Sequence, residues 1–291
     1  MKNLFLFIAI LAIASSCGRN SSEKAKPVTL KLTTHKEAID SLQKDSTAPR
    51  KPIKITAISQ KKTTEFFIDN DISKLFYDPG QNPENVYNSR FDGFYGEDHY
   101  RIEFFLTEVK KDSLQPAIYH IKGKNRFKNT ITNFEGTISF SKLSILSDPN
   151  IQTDAISKPI SDVELNAKQV YSAEAVFELK EDKKAKGSGV FSGNLFVDFF
   201  EQTNGNMNLW FYTPDTYAMA SGFKFEGKWT NYKKTLTRPV VWAKDLFAFS
   251  NTILTKFAIG DREVEINPKY RHLGWDKYWE NDEWWHEQPV Q

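Results

Sequence analysis

The chain of 291 residues has one cysteine, Cys17, and only five histidines. Without a second thiol there is no internal disulfide, and no Cys-ligated metal can be assembled. His35, His99, His120, His272 and His286 show no pair at metal-ligand spacing. HExxH, GxSxG and phosphate-cradling glycine loops are missing, so neither a metal nor a cofactor is expected. The formal net charge is only +2, which gives no general attraction to nucleic acid. Beyond Ala14 no apolar run is long enough to span a bilayer.

What is present begins at the N-terminus. Lys2 supplies a positive charge, and Leu4 to Ala14 is a continuous apolar run. As a helix this run reaches about half of a ~30 Å hydrocarbon core, the proportion of a signal segment. Small residues Ser15 and Ser16 precede Cys17. Small side chains suit a signal peptidase, and the thiol that follows suits a thioether-linked lipid. Residues 1–16 therefore read as a lipoprotein signal peptide and Cys17 as the lipidation site. The position three before the cysteine is Ala14, where lipoproteins usually carry Leu. The expectation is a protein of the cell envelope, held on the inner or outer membrane by its lipid and facing periplasm or cell surface.

Residues 17–62 contain no aromatic side chain, and from Gly18 to Lys62 eleven basic residues stand against four acidic ones, a net of +7. This composition predicts a disordered basic tether. Its charge suits an anionic membrane surface or simple spacing equally well.

The remainder reads as all-β. Tyr100, Ile102, Phe104 and Leu106 alternate with Arg101, Glu103, Phe105 and Thr107. Ala173, Ala175, Phe177 and Leu179 alternate with Glu174, Val176, Glu178 and Lys180, and Leu195, Val197 and Phe199 with Phe196, Asp198 and Phe200. Period two buries one sheet face and wets the other. Turn signals fall at Asp78-Pro79-Gly80, Asp92-Gly93, Thr203 to Asn206 and Pro214-Asp215. An antiparallel sandwich or barrel with little helix follows. Gly93-Phe94-Tyr95 leads into YRIEFF as Gly189-Val190-Phe191 leads into LFVDFF, and Phe134-Glu135-Gly136 recurs as Phe225-Glu226-Gly227. The order points to two duplicated β-units, 63–147 and 167–291, joined by a linker over 148–166. Two domains and two halves of one barrel both fit this pattern. Glu135 and Glu226 are expected to face solvent, and Gly136 and Gly227 to mark strand bends.

The last third resembles a group of uncharacterised Bacteroidota lipoproteins. The residues that carry the likeness are YAMASGFKFEGKWTNYKK (Tyr217 to Lys234) and FAIGDREVEINPKYRHLGWDKY (Phe257 to Tyr278). They correspond to F-x-G-x-W-x-x-Y and to N-P-x-Y followed by G-W-x-x-Y. The likeness implies no activity. Three triplets also resemble the O-glycosylation acceptor of that phylum, Asp40-Ser41-Leu42, Asp45-Ser46-Thr47 and Asp112-Ser113-Leu114, which makes Ser41, Ser46 and Ser113 candidate modification sites.

All seven tryptophans lie at or after Trp210. Trp210 and Trp229 sit on strand patterns and read as core. Trp275, Trp279, Trp284 and Trp285 lie in an ending with five acids and one lysine, a segment suited to docking on the body or on a partner. They are the candidate ligand or partner contacts. The function class expected is a non-enzymatic, lipid-anchored β-module that binds a glycan, an envelope polymer or an envelope protein. The alternatives are an extracytoplasmic hydrolase with dispersed Asp and Glu, and a structural component of a surface assembly. A cluster of exposed Trp beside a groove would favour binding, and two close carboxylates in a deep pocket would favour hydrolysis.

Overall fold

A computed structural model describes residues 51–77, 90–150, 167–257, 264–280 and 282–286. The signal segment, Cys17, Ser41, Ser46, the tether before Lys51, the turn signal at 78–80 and the linker from 151 lie outside the described residues. The last part of the stretch read as tether is ordered. It carries strand β1 (Lys54–Ala57) and the first turn of helix α1 (Gln60–Asp69).

The body is a ring of eight antiparallel strands. In chain order these are β2 (Arg90–Tyr95), β3 (Tyr100–Lys111), β4 (Ile118–Phe127), β5 (Thr130–Ser147), β6 (Ala167–Glu181), β7 (Gly189–Gln202), β9 (Phe223–Asn231) and β10 (Thr237–Ala243). Short β8 (Met207–Leu209) pairs with β7 off the ring. Each ring strand pairs with the next, and β10 returns to β2 through Trp242 opposite Gly93. The two units read from the sequence therefore give four strands each to one closed ring, joined through β5–β6 and β10–β2. β1 extends the β5 edge, with Ile55 opposite Leu146.

The alternation predicted from period two sets the inside and outside of the ring. Inward Ala173, Ala175, Phe177 and Leu179 are buried, while outward Val176, Glu178 and Lys180 are exposed. The interior is filled by rings. Trp242 stacks between Phe104 (4.1 Å) and Phe225 (4.6 Å), with Phe177 and Phe191 edge-on to it. Room for these side chains comes from glycines facing them, Gly93 opposite Trp242, Gly193 opposite Phe177 and Gly123 opposite Phe134. Asp92-Gly93 is thus a strand position and not the turn its composition suggests. A Cβ on Gly93 would lie 2.6 Å from that of Trp242.

Both ends are sealed. At one, α1 inserts Phe67, fully buried and stacked on Phe140, while Phe66 packs on Tyr171 and Phe199. Lys111 Nζ donates to the carbonyls of Ile68 and Asn70, satisfying the helix C-terminus. At the other, the buried Glu181 carboxylate accepts from Asn125 Nδ2 (2.8 Å), Trp229 Nε1 (2.8 Å) and the Gly189 amide (2.7 Å). Burial raises its pKa against the pull of these donors.

The C-terminal segment wraps the outside. It contains the pair β11 (Leu254–Phe257) and β12 (Val264–Ile266) and helix α2 (Pro268–Arg271). Leu246, Ile253, Leu273 and Trp275 cover Phe94, and Trp284 and Trp285 cover Phe105 and Ile131. Arg101 and Glu103, outward on β3, are buried by this cover. Arg101 donates to Asp92, Glu103 and the Lys277 carbonyl, and Arg126 pairs with Glu103 and Asp282. No helix among the described residues is long and apolar enough to cross a membrane.

Candidate functional site

The outward row of β7 carries two phenylalanines flanking an aspartate. It presents Asn194, Phe196, Asp198 and Phe200. The loop between β8 and β9, residues 210–222, folds back over this row. Its ends are pinned by two backbone bonds of 2.8 Å, from the Trp210 amide to the Asp198 carbonyl and from the Asp198 amide to the Gly222 carbonyl. Trp210 is buried and donates through Nε1 to Thr213. Thr216 Oγ1 donates to Asp198 Oδ2, and Ser221 Oγ donates to the carbonyls of Ala218 and Phe223.

Asp198 is fully buried, and its Oδ1 has no hydrogen-bond partner among the described residues. Burial pushes its pKa up to about 6, against the hydroxyls of Thr216 and Ser172, which favour the charged form. Two consecutive non-glycine residues of the loop, Met219 and Ala220, have φ of 57° and 58°. Such left-handed conformations cost on the order of 1–3 kcal/mol each and persist only where the surroundings enforce them.

What this buttressed loop holds outward is Tyr217. Tyr217 is 63% exposed, and its ring stacks on Phe196 at 5.0 Å. Around the pair lie exposed Val176 and Asn194, the ion pair Lys142–Glu174 at 2.9 Å and the ion pair Lys224–Glu226 at 2.9 Å. Lys224 Nζ also sits 5.6 Å from the centre of the Phe196 ring. Glu174 holds the Lys142 ammonium above its usual pKa, with Tyr217 contributing. The face combines one accessible aromatic surface with hydrogen-bond donors and acceptors of both signs. Among the described residues no group of three or more His, Cys, Asp or Glu is placed to hold a metal ion.

The residues singled out from the sequence fall elsewhere. Trp275 is buried and donates to the His99 carbonyl at 2.8 Å. Trp284 and Trp285 are buried against β3 and β5, so with Trp275 they contact the barrel's own surface. Trp279 is half exposed beside Tyr278. The four do not form one open cluster. Ser113 is exposed at the β3–β4 turn, next to Leu114, where Asp112 accepts from the amides of Leu114 and Gln115 and contacts His120. Glu135 and Glu226 are exposed, as expected. Sequence reasoning missed Tyr217, Phe196 and Asp198 as a group. The available signal was two Phe flanking an Asp on the outward row of β7, where polar residues belong. Comparison of the chain with family models, with curated protein sequences and with solved structures gives no match.

Proposed function

We propose that this chain is a lipid-anchored protein of the cell envelope whose barrel is a non-enzymatic binding module, and that the Tyr217 face takes up a component of the envelope. The carrying observation is that a strained, buttressed loop over a buried carboxyl group keeps a large aromatic ring exposed. Folding alone favours burying that ring, which would gain roughly 1.5–3 kcal/mol. Maintaining it in water at the expense of backbone strain is the pattern of a preorganised recognition surface. Tethering through Cys17 would restrict the module to the envelope and raise its effective concentration there. The test is co-sedimentation of the mature chain (residues 17–291) carrying Cys17→Ser, so that no lipid can hold it, with envelopes isolated from the native host. With Tyr217 intact it should pellet with them, and with Tyr217→Ala it should remain in the supernatant. Equal pelleting of both would refute the assignment to this face. Palmitate labelling lost in Cys17→Ser tests the anchor separately.

A further inference from the structure

We infer that the ligand of the Tyr217 face is a neutral saccharide, one pyranose ring lying on the Tyr217 ring with its hydroxyls reaching the surrounding polar side chains. This rests on the reading of that face as the binding surface and specifies its ligand class. Three features carry it. First, the charges are balanced. Lys142 pairs with Glu174 and Lys224 with Glu226, leaving the Asn194 amide as the neutral group between them on β7. An anionic polymer would have to approach the Glu174 and Glu226 carboxylates, and a cationic one the exposed Lys142 ammonium. A neutral polyol can accept from exposed Lys142 and donate to Glu174 and Glu226 without breaking either pair, while Lys224 stays buried.

Second, the exposed apolar area is small. Tyr217 and its neighbour Val176 are the large apolar side chains this face leaves open. A stable protein interface buries about 1,200–2,000 Å² around an apolar core, far more than two side chains supply. One aromatic ring matches the C–H face of one sugar. Third, the ring is fixed. It stacks on Phe196, which lies under the Lys224 ammonium, and its loop is pinned at both ends to Asp198. Little conformational freedom is left to lose on binding. With one ring as the platform, a single sugar should bind weakly and a polymer more tightly through repeated engagement.

The experiment separates envelope polysaccharide by anion exchange into a neutral flow-through and a retained anionic fraction. Each is titrated into full-length protein in detergent by isothermal calorimetry, with wild type, Tyr217→Ala, Tyr217→Trp and Asn194→Ala. Circular dichroism confirms that each variant is folded. The expected result is binding to the neutral fraction, largely independent of salt, weakened about tenfold or more in Tyr217→Ala, retained in Tyr217→Trp and weakened a few-fold in Asn194→Ala. Binding confined to the anionic fraction, or to neither fraction, overturns the ligand class. If Tyr217→Ala still fails to pellet with envelopes in that case, the binding face stands and only its ligand is reassigned. Undiminished binding by Tyr217→Ala in both assays overturns the face as well.

Discussion

Replacing Trp285 by Ala should detach the whole described end of the chain. Residues 282–286 hold Trp284 fully buried and Trp285 stacked on Phe105 at 4.7 Å with the rings 4° from parallel. Arg126 lies over the Trp284 ring, and Lys124 Nζ donates to the Trp285 carbonyl. Two indoles bury about 150–250 Å² each, which at about 25 cal/mol per Å² is roughly 10 kcal/mol. Ordering the segment costs about 1.5 kcal/mol per residue, roughly 7–8 kcal/mol for its length. The ring stack adds about 1 kcal/mol, so docking is favourable by roughly 3 kcal/mol. Removing one indole takes away about 5 kcal/mol, more than the whole margin, and the segment should release.

Three changes should then share one effect. Trp285→Ala, Trp284→Ala and a stop after Asn281 should each destabilise the protein by about 3 kcal/mol, and the double substitution should cost no more than either single one. For a chain of this size that lowers the melting temperature by about 6–12 °C. Urea unfolding gives the free energies, and tryptophan emission reports release, because the remaining indole moves from a buried site into water. Additive losses from the two substitutions, or a stop variant as stable as wild type, would refute the reasoning.

Three further outcomes follow from buried groups. The Asp198 pKa is raised from 3.8 to about 6 in the folded protein, so the native state holds this proton more tightly than the unfolded chain. Its contribution is complete below about pH 4 and lost as pH rises through about 6. Asp198→Asn should therefore gain on wild type over that interval, by at most roughly 3 kcal/mol at neutral pH, and urea melts at pH 4 and 7.5 that show no change in the gap would contradict it. Glu181→Gln leaves one oxygen where two serve three donors, so thermal melting should show a loss of about 1–3 kcal/mol. Gly193→Ala would set a methyl 2.3 Å from the Glu226 carbonyl oxygen, and hydrogen exchange should report opening of the β7–β9 pairing.

The inside of the ring was legible because inward positions obey one constraint, exclusion of water, which writes itself as period two. Ala173 to Leu179 follow it, and inward Leu195, Val197 and Phe199 are buried as it requires, while outward Asp198 is buried by residues 210–222 instead. Closure was not legible, since pairing of β10 with β2 joins residues some 150 positions apart and no local pattern encodes it. Nor was the fate of Arg101 and Glu103. Their alternation with Ile102 and Phe104 reads as a solvated face, yet the C-terminal segment covers them and turns a surface into a buried ion network. Asp92-Gly93 misled for a related reason. The same dipeptide that favours a turn is used in β2 because Trp242 needs a position without a Cβ. Tyr217 was hidden because its loop has no period at all, and its φ values near 57° fall on Met219 and Ala220, residues whose composition signals nothing unusual.

The packing also bears on where the proposed recognition would occur on this barrel. Eight strands enclose a space that side chains can fill or that one small ligand can occupy. Here Trp242 and four phenylalanines take the middle, α1 closes one end and Glu181 with its three donors closes the other. An internal cargo would have to displace stacked rings at several kcal/mol each, so the interior serves stability. Of the outer surface, β2 and β3 are covered by the C-terminal segment. Exposed polar side chains on β4 and β5, such as Lys122 and Glu135, present ordinary solvated chemistry. On the outward face of β6 and β7 a second cover, residues 210–222, buries Asp198 and Phe200 but leaves its own tyrosine in water. It places Tyr217 on top of Phe196 with the ring turned to water. The C-terminal cover packs three of its four tryptophans onto the barrel's outer surface, whereas this loop turns its tyrosine outward. That contrast between two covers of one barrel is the physical reason for proposing recognition at Tyr217 and not at the tryptophans.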